Sequence, residues 1–285
     1  MRAGLVLRGR HIPAGEVTRA PAWRTALSLF TVIPAGTDAD LGEGNAARAV
    51  LWMPAVGLLL GVLGGGVLAG AGAVGGASGA DSGLRRLLGA ALAVTLLALL
   101  TGGLHLDGLA DTADGLGSRR PAPVALDIMR RSDVGPMGVA ALVLTLLIQV
   151  TALAAVPRAP AAGLALVLAA VTGRVSVVLA TGSRPARPGG FGALVAGQTT
   201  AAGRAASVAL LVCAIVAGGS CFGGLGPRGW ELVVRGLIAA AAGLAAGSTV
   251  QVIAVRRLGG VTGDVFGAIT EVAGASTLVV CALIS

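Results

Sequence analysis

The feature that most constrains this chain is a set of long apolar runs without charge. Residues 138–156 read GVAALVLTLLIQVTALAAV and contain no charged side chain. That length is close to the ~20 residues that an α-helix needs to cross a bilayer. The chain is 55% hydrophobic and only 12% charged, whereas soluble domains are about 25% charged. The sequence therefore predicts an integral membrane protein.

Seven apolar segments can be drawn along the 285 residues. They run over 50–76, 84–104, 137–156, 161–182, 205–224, 232–254 and 265–284. We predict an all-α fold, a polytopic helical bundle with about seven transmembrane helices. In the first segment Gly57, Gly61 and Gly65 are spaced by four, which suits close helix packing in lipid. A general abundance of glycine explains that spacing equally well.

The distribution of arginine predicts how the chain is oriented in the membrane. All 21 basic residues are arginine; with a cytoplasmic N-terminus, fifteen fall on inner segments, five on outer connections and one within a span. This asymmetry follows the positive-inside rule, and it explains the net charge of +8 without a nucleic acid partner. We predict a single integral membrane domain over 1–285. It comprises a cytoplasmic N-terminal segment, 1–47, and a helical bundle, 50–284, with a cytoplasmic loop near 105–136.

The first acidic stretch, residues 101–117, reads TGGLHLDGLADTADGLG. Asp107, Asp111 and Asp114 stand at i, i+4 and i+7, at about 0°, 40° and −20° around a helix, so they share one face. Carboxylates crowded near lipid repel one another unless a cation neutralises them. Oxygen ligands without Cys or His favour a hard ion such as Mg²⁺ or Mn²⁺. We predict metal-binding and catalytic roles for all three; the alternative is a solvated acidic helix end.

Three basic residues are further candidates for the same chemistry. His105 lies about 160° from Asp107 on a continuous helix, and a structural hydrogen bond fits it as well as a catalytic acid–base role. Arg130 precedes the third span and is predicted to bind a substrate phosphate, because arginine makes bidentate phosphate contacts. Arg174 lies within the fourth segment and is a second candidate for substrate binding. Its partner would be a phosphate or a carboxylate, unless it snorkels to the interface.

The second acidic stretch, residues 258–271, reads LGGVTGDVFGAITE near the end of the chain. Thr262 and Gly263 resemble a helix N-cap with a turn that favours anions, which makes them candidates for substrate binding. Asp264 and Glu271 are seven residues apart, share one helical face and are candidate catalytic residues.

Both acidic stretches lie on the same side of the membrane in the predicted topology. We therefore expect at least one of Asp264 and Glu271 to lie within about 5 Å of the carboxylates of the first acidic stretch. Arg130 or Arg174 is expected to border the same cavity. A metal with carboxylate ligands and a nearby arginine is a sufficient set of parts for phosphoryl transfer.

These stretches resemble those of the cobalamin synthase family, the adenosylcobinamide-GDP ribazoletransferases. The resemblance rests on GGLHLDGLADTADGLGS at 102–118, LDIMRRSDVGPMGVAAL at 126–142 and LGGVTGDVFGAITE at 258–271, with weaker similarity in FTVIP at 30–34 and MPAVGLLLG at 53–61. It covers nearly the whole chain. The sequence departs from the family pattern at Val32, where the family often has Arg, and at Arg131 and Asp133, where the acid and the base are exchanged.

The resemblance implies the last assembly step of coenzyme B12 synthesis. A ribose hydroxyl of α-ribazole, or of its 5′-phosphate, would attack the phosphate attached to the cobinamide of adenosylcobinamide-GDP, and GMP would leave. It further implies Mg²⁺ as cofactor and a multi-pass protein of the bacterial plasma membrane with its active site facing the cytoplasm. Association with other cobalamin-assembly enzymes is left open.

Two other classes use acidic membrane helices. The CDP-alcohol phosphatidyltransferases have the pattern D-G-x-x-A-R, whereas Asp107-Gly108 here is followed by Ala110-Asp111 without the arginine. A cation-coupled transporter would place its acids near the bilayer midplane and would often contain internal repeats. The clustering of the acids at one predicted membrane edge favours the ribazoletransferase.

Overall fold

The structure, a computed structural model, describes residues 21–35, 44–74 and 82–285. Within these ranges the chain forms twelve α-helices and no β-strand longer than one isolated bridge. The helices are α1 (Ala22–Phe30), α2 (Asn45–Val50), α3 (Met53–Val74), α4 (Ser82–Leu100), α5 (Leu104–Gly117), α6 (Ala122–Ile128), α7 (Pro136–Ala155), α8 (Ala159–Ala180), α9 (Gly190–Val195), α10 (Ala201–Gly223), α11 (Pro227–Leu258) and α12 (Gly263–Leu283).

Seven helices in the described ranges are long and apolar enough to cross a membrane: α3, α4, α7, α8, α10, α11 and α12. The predicted all-α fold with about seven spans is therefore confirmed. The largest difference in bounds is at α11, which runs over Pro227–Leu258 instead of 232–254. Its 32 residues exceed what a bilayer needs, so the arginines at both of its ends stand on the helix itself. The predicted segment 1–47 lies largely outside the described residues.

The region near 105–136, which we expected to be a loop, contains the two helices α5 and α6. Helix α4 ends at Leu100, and the chain then turns at Gly102 (φ 59°) and Gly103 (φ 72°) before α5 begins. Glycine adopts positive φ without the steric cost of a Cβ atom, so this pair breaks the helix. The first acidic stretch therefore lies on a separate helix and does not end the second span.

Helix α8 is the central helix of the bundle, and most of its residues are buried. Helix α3 packs closely along it through the glycines spaced by four. A Cβ atom on Gly57 would lie 2.6 Å from the Ala170 carbonyl oxygen, and one on Gly61 would lie 2.5 Å from Val167 Cα. The spacing therefore does serve close packing, because the two backbones approach nearer than any larger residue allows.

Helix α12 lies between α8, α11, α7 and α5. Thr262 caps its first turn, with the Val265 amide donating to Thr262 Oγ1 at 3.2 Å. This confirms the predicted N-cap. A parallel bridge between Pro185 and Val261 holds the connection after α8 against the chain just before α12. The helix start and this connection are thus fixed beside α5.

We expect Gly61→Ala to destabilise the bundle, because the new methyl group would overlap the backbone of α8. Overpacking of this kind costs about 1–3 kcal/mol. Gly66→Ala on the same helix is the matched control, since a Cβ atom there meets nothing within 4 Å. Thermal denaturation in detergent should show a lower midpoint for Gly61→Ala alone. Equal midpoints for the two variants would contradict the packing described above.

Candidate active site

A cavity of about 330 Å³ opens where α5, α9, the start of α12 and the connection after α8 meet. We call it the acidic cavity. Its polar side chains are those of His105, Asp107, Arg187, Thr262 and Asp264. The rest of the lining is apolar or glycine, so the few charged groups face one another across a largely nonpolar wall. Cavities of this size and character are typical ligand sites.

Asp107 and Asp264 come together because α5 and α12 cross at glycine. A Cβ atom on Gly108 would lie 2.6 Å from the Asp264 carbonyl oxygen, and one on Gly267 would lie 2.9 Å from the carbonyl oxygen of His105. The two backbones are therefore in direct contact at this crossing. Asp264 and Asp107 therefore line the same cavity from distant parts of the chain, and the separation of about 5 Å between carboxylates stays a prediction.

Asp111 lies one helical turn beyond Asp107 and is partly buried. Its pKa is raised to about 7, first by burial and then by the negative charges of Asp107 and Asp264, with a smaller contribution from Asp114. Arg187 opposes this increase. Part of this increase is electrostatic repulsion among the carboxylates. A bound cation would relieve that repulsion.

His105 is 4% exposed, lines the acidic cavity, and has no hydrogen-bond partner at either ring nitrogen among the described residues. Burial lowers its pKa well below the usual range, and the positive charge of Arg174 adds to the effect. The ring is therefore neutral near pH 7. A buried polar group without a partner is costly, and both ring nitrogens are enclosed by protein atoms, so neither is presented to the acidic cavity in this arrangement.

Arg187 is the residue of this site that was not singled out from the sequence, where it counts only as one of the inner arginines. Its guanidinium lies 3.5 Å from Asp264 Oδ2 and also donates to the Leu126 carbonyl oxygen at 3.2 Å. The signal was its context, RPARPGGFG, in which Gly189 and Gly190 both have positive φ. A glycine-rich turn beside an arginine allows close approach to an anionic ligand.

Asp114 lies near the other acids but has a different environment. Its carboxylate accepts hydrogen bonds from the backbone amides of Gly135 at 2.6 Å and Gly138 at 2.8 Å. These amides belong to the first turn of α7, whose N-cap residue is a glycine without a side chain. Asp114 therefore caps α7 from a different helix, a role that was not predicted from the sequence.

Neither Arg130 nor Arg174 lines the acidic cavity, contrary to our expectation that one of them would. Arg130 is 60% exposed and forms an ion pair with Asp127 one turn earlier on the chain. Arg174 is buried within α8, where its Nη1 donates weakly to the Ala170 carbonyl oxygen at 3.4 Å. Val177, three residues further along α8, lines the acidic cavity, whereas Arg174 lines a different cavity inside the bundle.

Glu271 also faces away from the acidic cavity. Together with Arg174 it lines a second, smaller cavity of about 50 Å³ inside the bundle. The Gln149 side chain donates to Glu271 Oε2 at 2.7 Å. Glu271 lies two turns further along α12 than Asp264, so Asp264 is the acid of the second acidic stretch that lines the acidic cavity. Thr262 and Gly263 also line it, and their role in substrate binding stays a prediction.

The predicted metal ligands are distributed over more than one environment. Among the described residues, no group of three or more His, Cys, Asp or Glu side chains is arranged to hold a metal ion. Asp107 and Asp264 do line one cavity, and Mg²⁺ commonly takes only one or two carboxylates, with water and phosphate oxygens completing the shell. The donor set therefore fits Mg²⁺ held jointly with a phosphorylated substrate.

We expect Asp114→Asn to lower stability, because an amide side chain offers one acceptor oxygen where the carboxylate offers two. Loss of a charged cap costs about 0.5–2 kcal/mol. Asp133→Asn, a change at a nearby exposed carboxylate, is the control. Thermal denaturation in detergent should show a lower midpoint for Asp114→Asn only. A midpoint unchanged by Asp114→Asn would refute the capping role.

The fold and the site together define a polytopic membrane protein with a charged ligand cavity at one end of its helical bundle. The chain belongs to the cobalamin-5-phosphate synthase family, whose family model it matches over residues 22–282. This match covers α1 and all seven predicted spans. No solved structure matches the chain.

Curated relatives carry the name adenosylcobinamide-GDP ribazoletransferase. The chain is 40% identical to the protein of Frankia casuarinae over 266 residues, which is 91% of this chain and 94% of the relative. It is 38% identical to the protein of Bradyrhizobium diazoefficiens over 260 residues, 91% and 92% of the two chains. It is 34% identical to the protein of Corynebacterium efficiens over 261 residues, 91% and 90% of the two chains. The family resemblance read from the sequence is thus confirmed.

Proposed function

We propose that this protein joins adenosylcobinamide-GDP to α-ribazole, or to its 5′-phosphate, and releases GMP. The observation that carries the proposal is the acidic cavity, in which Asp107 and Asp264 from distant parts of the chain face Arg187. Membership of the family, whose named relatives are ribazoletransferases, supports it. That same membership favours the transferase over a CDP-alcohol phosphatidyltransferase or a cation-coupled transporter.

In the proposed reaction a ribose hydroxyl of the ribazole attacks the phosphorus attached to the cobinamide. A new P–O bond forms, the P–O bond to GMP breaks, and the hydroxyl proton passes to a neighbouring carboxylate or to water. The ring nitrogens of His105 are enclosed in the free protein, and in the substrate complex the ring turns to accept a hydrogen bond from the hydroxyl and orient it. Arg187 holds phosphate oxygens, since a guanidinium suits such oxygens in a bidentate contact.

Mg²⁺ is proposed as the cofactor, with Asp107 and Asp264 as its protein ligands and Asp111 close behind them. Bound Mg²⁺ would neutralise charge on the diphosphate and on the leaving GMP. Arg187 already contacts Asp264 at 3.5 Å. The Asp264 carboxylate would therefore contact both the metal and the arginine, and both of these would contact the phosphate. The chain's own residues thereby supply positioning and charge neutralisation, which phosphoryl transfer mainly requires.

The size of the acidic cavity supports an assignment of the two substrates. At about 330 Å³ it is at the small end of ligand pockets, so it suits a nucleoside and leaves the much larger corrin ring outside. Its apolar wall includes Phe30 and Phe191, whose rings pack edge to face with their centroids 5.7 Å apart. We assign the flat base of the ribazole to this wall, because a base with few polar atoms needs few hydrogen-bond partners there.

The direct test is to incubate the purified protein in detergent with adenosylcobinamide-GDP, α-ribazole and Mg²⁺, and to measure GMP and the cobalamin product. We expect stoichiometric formation of both. Omission of either substrate should abolish GMP release. Release of GMP without the ribazole would indicate hydrolysis instead, and absence of both products would reject the proposed function.

Asp107→Asn and Asp111→Asn should each reduce turnover by at least about a hundredfold, because charge stabilisation by positioned groups typically contributes that much. Chelation with EDTA should have the same effect on the unmodified protein, and added Mg²⁺ should restore activity. Asp133→Asn, at an exposed carboxylate, is the control and should keep normal turnover. Normal turnover in both aspartate variants would remove the first acidic stretch from the chemistry.

The acidic cavity is proposed to face the cytoplasm of a bacterium, from the plasma membrane. Cysteine accessibility reporters at positions 120, 187 and 257 should be labelled from the cytoplasm, and one near Gly229 should be labelled from the other side. Gly226 is the suitable position, because it is exposed and a Cβ atom there meets nothing within 4 Å, whereas Gly229 is buried. The expectation follows from the arginine asymmetry and from the position of residue 226 at the opposite end of α11 from residue 257. Labelling of position 187 from outside would reverse the proposed orientation.

A further inference from the structure

A groove of about 360 Å³ lies at the end of the bundle away from the acidic cavity. It is bordered by the starts of α8 and α11 and by the ends of α7, α10 and α12. Helix α12 begins at the acidic cavity and reaches this groove 21 residues later, a distance of about 30 Å. We call it the far groove. Neither the proposed reaction nor the family comparison assigns it a role.

Three arginines line the far groove: Arg158, Arg228 and Arg235. Arg235 is bound to Glu231 one turn away, at 2.6 Å, whereas Arg158 and Arg228 are exposed at the helix starts. Two helix N-termini, of α8 and α11, and three C-termini, of α7, α10 and α12, meet here, so the partial charges of the helix ends add no net positive charge. The guanidinium groups therefore give the mouth of the groove a positive charge.

The deeper wall of the far groove is apolar. Leu164 and Leu168 line it along α8, about 9 and 15 Å from Arg158 by the rise of a helix. Leu232 lines it from α11. Near the mouth, Trp230 is 66% exposed, and tryptophan is enriched at the level of the lipid headgroups. The arginines at the mouth of the far groove therefore lie at the level of the lipid headgroups, and its apolar wall lies at the level of the acyl chains.

We propose that the far groove binds one anionic phospholipid. Arg158 and Arg228 contact its phosphate and acidic headgroup, and an acyl chain lies against Leu164 and Leu168. Basic pockets between transmembrane helices recognise anionic lipids in this way. A zwitterionic lipid would bring its own cation to the arginines and bind less well, and a soluble phosphate would leave the apolar wall uncovered.

The test compares lipids on the purified full chain in detergent. Dioleoylphosphatidylglycerol should raise the thermal midpoint and be retained in native mass spectrometry, whereas dioleoylphosphatidylcholine and inorganic phosphate should do neither. The double variant Arg158→Gln/Arg228→Gln should bind phosphatidylglycerol about tenfold or more weakly. The charge-matched control is Arg120→Gln/Arg131→Gln at the other end of the bundle, where both arginines are exposed. It should bind normally.

Four outcomes would overturn the proposal: equal binding of phosphatidylcholine, a midpoint raised by inorganic phosphate alone, full binding in the double variant, or a dimer that the double variant abolishes. Arg158→Lys/Arg228→Lys keeps the charge and should keep the lipid, which separates charge recognition from a folding defect. If the glutamine variant does not fold, preference for phosphatidylglycerol over phosphatidylcholine by the unmodified protein decides the question. Turnover in the reaction proposed above should be the same in the control and in the unmodified protein, so the two proposals fail separately.

Discussion

The architecture of the site depends on one contact, the crossing of α5 and α12 at Gly108 and Gly267. A Cβ atom at either position would lie within 3 Å of the opposing backbone, so only glycine allows the two helices to meet this closely. The crossing holds Asp107 on one helix beside Asp264 on the other. Without it, the two acidic stretches would remain separate helix ends, and the cavity between them would not have its charged lining.

Close helix packing at glycine recurs through the bundle for a physical reason. Lipid is as apolar as a leucine side chain, so spans gain little by hiding apolar surface and associate mainly through close packing. Gly57 and Gly61 bring α3 onto α8. Gly173 brings α8 onto α12, since a Cβ atom there would lie 2.7 Å from the Thr270 carbonyl oxygen. Because α12 is held in this way by α8 as well as by α5, its first turn is fixed in position.

The charged side chains lie at different positions along the bundle. At one end, opposite charges line the acidic cavity. Inside, Arg174 and Glu271 line a small cavity between the helices. Buried ionisable groups are costly in a membrane, so Glu271 takes a hydrogen bond from Gln149 in place of water. The charge of Asp114 is stabilised by hydrogen bonds from backbone amides at the start of α7, which helps to fix the helix that also carries Gln149.

The sequence by itself determined the membrane-spanning, all-α fold, the number of spans, the helix cap at Thr262 and the family, because hydrophobic length, cap chemistry and motif order are local properties. It also predicted that Asp264 or Glu271 would lie beside the first acidic stretch, and Asp264 lines the same cavity as Asp107. It could not predict the surroundings of Arg187, Asp114, Arg130 or Glu271, because these depend on which groups of other helices or connections lie beside each side chain. Helical periodicity places Asp107, Asp111 and Asp114 on one face, yet the carboxylate of Asp114 caps the start of α7. It places Glu271 below Asp264, yet α7 and α8 enclose Glu271. Only the tertiary structure decided which charges share a cavity, since that depends on the helix crossings.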